Sequence, residues 1–114
     1  RWETPDEIGS SRISDRVYNA LTRKGYTVEK NVGIGGYPID LAVKQNNRYI
    51  LGIECDSHLY SLPASTRERD YHRQKYLESR GWRIHRVWTP GMWKNPDREI
   101  SRIIEAIERS NDAA

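Results

Sequence analysis

The chain has 114 residues, a mass of 13.4 kDa and a formal net charge of +3, with 36% hydrophobic and 31% charged residues. This length favours one domain over residues 1–114, and the first residue, Arg1, leads us to expect a piece of a longer protein. No apolar stretch approaches the ~20 residues of a membrane span. The single Cys excludes an intrachain disulfide and a cysteine-built zinc site. These features favour a cytoplasmic protein that is not bound to a membrane.

Positive charge is concentrated in the middle of the chain. Residues 64–94 carry eight Lys or Arg and three Asp or Glu, whereas residues 1–63 carry eight of each kind. A localised basic block is what a polyanion-binding surface requires. A solvated helix face has the same composition, so charge alone leaves both interpretations open.

Apolar spacing predicts three helices. The first covers 11–24, the second covers 65–80 and stops at Gly81, and the last begins near Pro96 with Asn95 as its cap. Isoleucines at 100, 103, 104 and 107 give the last helix a core-facing side. Pro90 and Gly91 are expected to break the chain before it.

The segments 26–32, 37–44, 49–56 and 82–88 read as β-strands, and the second and third form a hairpin around a polar turn at 45–48. Together with the helices they give the order α-β-β-β-α-β-α. This order predicts an α/β fold with a mixed central sheet flanked by helices. We expect Cys55, Trp82 and Trp88 to lie in the core; the alternative for Trp82, Trp88 and Trp93 is stacking on nucleic-acid bases.

Three acidic residues interrupt the apolar hairpin strands. Glu54 and Asp56 share one face of their strand because side chains alternate, and Asp40 lies on the partner strand. Carboxylates this close repel one another unless a cation or a basic side chain compensates. The pattern therefore fits a Mg2+ site that activates water. It equally fits structural ion pairs with arginines.

The segments YPIDLAV at 37–43 and ILGIECD at 50–56 resemble the PD-(D/E)XK nuclease superfamily. The similarity is closest to the branch of very-short-patch-repair (Vsr)-like endonucleases, and it continues through 67–74 and 81–88. It covers the chain from Ser11 to Ile107 and implies a restriction-endonuclease-like fold. Members of that branch are often the C-terminal domain of helicase-like ATPases, so the resemblance also implies a helicase or ATPase region in the parent chain.

The resemblance implies a metal-dependent endonuclease that hydrolyses phosphodiester bonds of DNA. Asp40 and Glu54 match the residues that hold Mg2+, for which Mn2+ can substitute. Asp56 stands where most members have Lys, so it becomes an extra metal ligand or a base. Gln74, on the following helix, is the candidate supporting residue.

DNA contacts are expected from the basic helix and the loop before it, because Arg and Lys suit phosphate oxygens. The candidates are Arg67, Arg69, Arg73, Lys75, His58 and Tyr60. Arg69 or Arg73 can instead pair with nearby carboxylates, including those of the acidic site. Ser57 and Ser61 replace Gly and His of the relatives, which motivates a second interpretation as a DNA-binding module that no longer cuts. A protein-interaction domain with structural carboxylates is the third.

Overall fold

The computed structural model describes residues 5–34, 37–55 and 64–112. Within these ranges the chain forms α1 (Pro5–Arg23), β1 (Thr27–Ile34), β2 (Tyr37–Gln45), β3 (Arg48–Glu54), α2 (Ala64–Ser79), β4 (Ile84–Arg86), α3 (Thr89–Lys94) and α4 (Pro96–Asp112). The predicted α/β order is confirmed, with α3 as an additional short helix. None of these helices is long and apolar enough to cross a bilayer.

The four strands form one mixed sheet in the order β1-β2-β3-β4. β1, β2 and β3 are antiparallel, and β4 joins β3 in parallel after the crossover through α2. The hairpin between β2 and β3 closes through Asn46 and Asn47, whose φ angles are 52° and 64°. Asn accepts this left-handed backbone in a two-residue turn better than most residues do. The predicted turn and the mixed sheet are therefore confirmed.

The main core lies between one face of the sheet and the helices α1, α3 and α4. Helical spacing places Ile13, Val17 and Leu21 on the buried side of α1, and α4 buries the predicted isoleucine side. Cys55 is fully buried in the same cluster, as predicted. The sheet contributes five further apolar side chains, namely Leu41, Val43, Leu51, Ile53 and Val28.

The opposite face of the sheet is covered at Gly52, in the centre of β3. A Cβ at this position would lie 2.8 Å from Ile84 Cδ1, 3.2 Å from Ile39 Cγ2 and 3.3 Å from Trp82 Cε3. Trp82 is half-buried and stacks on Tyr49 with 5.2 Å between ring centroids. It therefore covers the sheet rather than filling the main core. The missing side chain of Gly52 lets these groups pack close to the strand that carries the acidic residue Glu54.

Two predictions for the region after β4 were wrong. Pro90 and Gly91 do not break the chain but lie inside α3, because Pro fits the first helical turn, where its missing N–H is not needed. Gly91 is buried within this helix. Trp88 is not a core residue, since 53% of its surface is exposed. β4 ends at Arg86, so the strand alternation that placed Trp88 inward does not extend to it.

Candidate active site

Glu54 is the buried acidic residue at the end of the central strand β3. Only 2% of its surface is exposed. Its neighbours Ile53 and Cys55 point into the main core, so alternation directs Glu54 to the other face, where α2 packs. There the Arg73 guanidinium donates from Nη2 to Glu54 Oε1 at 2.7 Å. A carboxylate this well buried needs such a charged partner to remain ionised inside the fold.

Asp40 lies on β2 beside the end of β3. The sheet register pairs Leu41 with Ile53, so Asp40 and Glu54 are the next residues along the two strands. Asp40 Oδ2 accepts a hydrogen bond from the Cys55 backbone N–H at 2.9 Å, which fixes this half-buried carboxylate next to the Glu54 main chain. The structure thus brings two of the three predicted acidic residues to one end of the sheet.

Gln74 connects α2 to the neighbouring strand β4. Its Oε1 accepts a hydrogen bond from Arg86 Nε at 3.0 Å, and its Nε2 donates to Glu78 Oε1 at 3.1 Å. Arg86 is opposite Glu54 in the parallel register of β3 and β4. Gln74 and Arg73 therefore fix one side of α2 against the acidic end of the sheet. Sequence reasoning missed Arg86, because the strand pattern alone does not show which helix lies above it.

The remaining predicted residues lie either on α2 or outside the described residues. Arg69 and Lys75 are exposed on α2, and Lys75 Nζ lies 5.5 Å from the centre of the Tyr71 ring. They are available to a polyanion. Arg73 is bonded to Glu54, which is the ion-pair alternative that the sequence left open. Arg67 lies in the first turn of α2. The other candidates lie outside the described residues: Asp56, His58 and Tyr60, together with Ser57 and Ser61.

The donor chemistry of this site fits a hard divalent cation. Asp40 and Glu54 offer carboxylate oxygens, which are the ligands that Mg2+ prefers, and Mg2+ needs only one or two carboxylates. Among the residues that the structure describes, no cluster of three or more Asp, Glu, His or Cys side chains has metal-binding geometry. The third predicted carboxylate, Asp56, directly follows the described segment that ends at Cys55.

The mixed sheet with its flanking helices is compatible with a restriction-endonuclease-like α/β core. The model of a restriction-endonuclease-like family, REase_MTES_1575, matches residues 14–107, and the chain belongs to this family. The match includes Asp40, Glu54 and all of α2. No curated protein and no solved structure matches the chain. Family membership is consistent with a nuclease of the PD-(D/E)XK type.

Proposed function

We propose that this domain is a metal-dependent DNA endonuclease with its active site at Asp40 and Glu54. The observation that carries the proposal is a buried carboxylate, Glu54, held beside a second one at the end of the central strand of a nuclease-family fold. Burying a carboxylate is costly, and two hydrophobic side chains in place of a buried ion pair often make the fold as stable. A functional role therefore explains an acidic residue at this position better than stability does.

In the proposed site Asp40 and Glu54 hold Mg2+ or Mn2+, with Asp56 as an additional ligand or base. When bound, the cation activates a water molecule and neutralises negative charge on the phosphoryl group. The Cys55 N–H orients the Asp40 carboxylate, and Gln74 fixes α2 through Arg86. Arg73 compensates the charge of Glu54 through their 2.7 Å ion pair. A guanidinium at this position would also suit phosphate oxygens.

DNA is the proposed substrate, and α2 supplies the proposed backbone contacts. Arg69 and Lys75 are exposed on this helix, and Arg73 of the same helix reaches the acidic site. Arg67, His58 and Tyr60 remain proposed contacts. Phosphate contacts position DNA without selecting a sequence. The resemblance to Vsr-like endonucleases supports the further proposal that a helicase or ATPase region of a longer chain selects the target.

The experiment is cleavage of supercoiled plasmid in Mg2+ or Mn2+, with EDTA as the blank. We expect the parent to nick or linearise the plasmid, and we expect Asp40→Asn and Glu54→Gln each to lower the rate at least about a hundredfold. Matched controls are Asp15→Asn and Glu105→Gln, because both carboxylates are exposed and pair with surface cations. A parent that cuts nothing with either metal, or a Glu54→Gln variant that cuts normally, contradicts the proposal.

A DNA-binding module without cleavage is the second candidate. The observation that favours it is the 2.7 Å bond between Arg73 and Glu54, because a guanidinium that never leaves would keep a cation away from Glu54. This candidate predicts that the parent, Asp40→Asn and Glu54→Gln all bind DNA equally and that none of them cuts. Cleavage that depends on both carboxylates rules it out.

A further inference from the structure

Two half-exposed tryptophans lie at the two ends of the short helix α3. Trp88 precedes the helix with 53% of its surface exposed, and Trp93 lies in its last turn with 54% exposed. Indole rings are among the largest apolar groups, and folded domains normally bury most of their surface. Two exposed rings at the two ends of one short helix leave a large apolar area open to a partner. Neither ring takes part in the acidic site.

Trp88 lies at the same end of the sheet as the acidic residues. β3 and β4 run in parallel with Glu54 opposite Arg86, and the Val87 N–H donates to the Glu54 carbonyl at 2.8 Å. Neighbouring strands are about 4.8 Å apart. Trp88 follows Val87 directly, so its main chain lies just beyond this end of the sheet.

The Trp88 ring is held against α3 rather than projecting freely. A Cβ at Gly91 would lie 2.8 Å from Trp88 Cε3 and 2.6 Å from Glu99 Oε1, so the ring edge occupies the space that a side chain at 91 would fill. Glu99 is itself buried and paired with Arg102. One edge of the indole is thus packed and about half of its surface faces solvent. A fixed aromatic face loses little conformational freedom when a flat ligand stacks on it.

The surroundings of Trp93 are basic. The Arg16 guanidinium lies 5.2 Å from the centre of the Trp93 ring, and Lys94 is exposed next to it. Arg98 is exposed one turn further on, with Asp97 as the acidic neighbour beside it. Aromatic faces combined with surplus positive charge are characteristic of surfaces that bind single-stranded nucleic acid.

We propose that Trp88, supported by Trp93 and its basic neighbours, is a stacking surface for unpaired bases of the DNA substrate. A base inside a duplex has both faces covered by its neighbours, so only an unpaired or extruded base can stack on the indole. The inference rests on the proposed nuclease function and narrows its substrate to DNA with a single-stranded segment. Exposed Arg69 and Lys75 would contact the DNA backbone. Trp88 would stack on the face of any unpaired base, without selecting a sequence.

The test is equilibrium binding in EDTA, where no cleavage occurs, measured by fluorescence anisotropy. The probes are a labelled oligothymidylate, a backbone of equal length without bases, and a duplex. We expect the parent to bind oligothymidylate more tightly than the other two probes. Trp88→Ala should weaken oligothymidylate binding at least about fivefold, the lower end for loss of one stacked base, and should leave binding of the base-free strand unchanged.

Trp88→Phe is the matched control, since it keeps an aromatic face and should retain most of the affinity. Circular dichroism and thermal unfolding verify that both variants fold. Equal affinity of the parent for the base-free strand and oligothymidylate, or parent-like binding by Trp88→Ala, overturns the inference and leaves the patch to a protein contact. The binding assay contains no metal and is separate from the plasmid cleavage assay. Base-dependent binding without plasmid cleavage therefore contradicts only the nuclease proposal. Plasmid cleavage without base-dependent binding contradicts only the stacking inference.

Discussion

Arg73 is a cationic side chain bonded to the buried carboxylate of the acidic site. The Arg73 side chain is 20% exposed and that of Glu54 is 3% exposed, so most of the water that would otherwise solvate the pair is excluded. Removing one partner of a buried pair costs more than the attraction itself, because the other charge stays buried. Arg73 therefore stabilises the fold around Glu54.

We expect Arg73→Met to lower the free energy of unfolding by about 3–5 kcal/mol, because the buried Glu54 carboxylate loses its 2.7 Å ion pair with the guanidinium. Urea unfolding measures the change. The matched control is Arg109→Met, whose partner Glu105 is 4.0 Å away and exposed; its loss should stay below about 1 kcal/mol. Equal losses in the two variants would show that the Arg73–Glu54 pair contributes no more than a surface pair.

At the scale of the elements, β4 is the short strand whose side chains contact helices on both faces of the sheet. It has three residues, with Arg86 reaching Gln74 of α2 and His85 facing α4. His85 Nε2 is buried and has no hydrogen-bond partner in the described part of the chain. Burial lowers the pKa of His85, while Glu99 raises it and Arg109 lowers it further. The fold thus favours the neutral imidazole.

This pKa shift predicts a pH dependence of stability. The unfolded chain takes up the His85 proton near its ordinary pKa of about 6.5, whereas the folded chain does so only at lower pH. The contribution of neutral His85 is therefore complete above about pH 6.5 and is lost as the pH falls below it. Urea unfolding between pH 7.5 and 5.5 should show this loss for the parent and a smaller slope for His85→Gln. A parent-like slope in His85→Gln refutes the assignment.

The elements themselves were largely readable from the sequence, because each depends on neighbours in the chain. The isoleucine side of α4 and the Asn46–Asn47 turn are local patterns, and both are confirmed. The alternation that turned Cys55 inward and Glu54 to the other face is confirmed as well. α3 was missed because Pro90 and Gly91 signal a break in isolation. Their helix is stabilised by packing against α1 and α4, which no local pattern contains.

At the scale of the whole molecule, the proposed site depends on contacts between distant segments. The pairing of Arg73 with Glu54 joins residues 19 positions apart, and the bond from Cys55 to Asp40 joins residues 15 positions apart. The hairpin register predicts that Asp40 lies near the end of β3, where Cys55 follows. The pairing of Arg73 with Glu54 was one of several alternatives, because a helix pattern does not show which strand end lies below it. The exposure of Trp88 follows from where β4 ends, which strand propensity alone does not determine.

The central claim is that Asp40 and Glu54 bind the same cation. Crystals of the domain grown with MnCl2 test it most directly, since the anomalous signal of manganese identifies and locates the ion. We expect one peak at coordination distance, about 2.0–2.2 Å, from carboxylate oxygens of both residues, with the Arg73 guanidinium displaced from Glu54 Oε1. A map with no manganese between these carboxylates, and Arg73 still bonded to Glu54, would contradict the account.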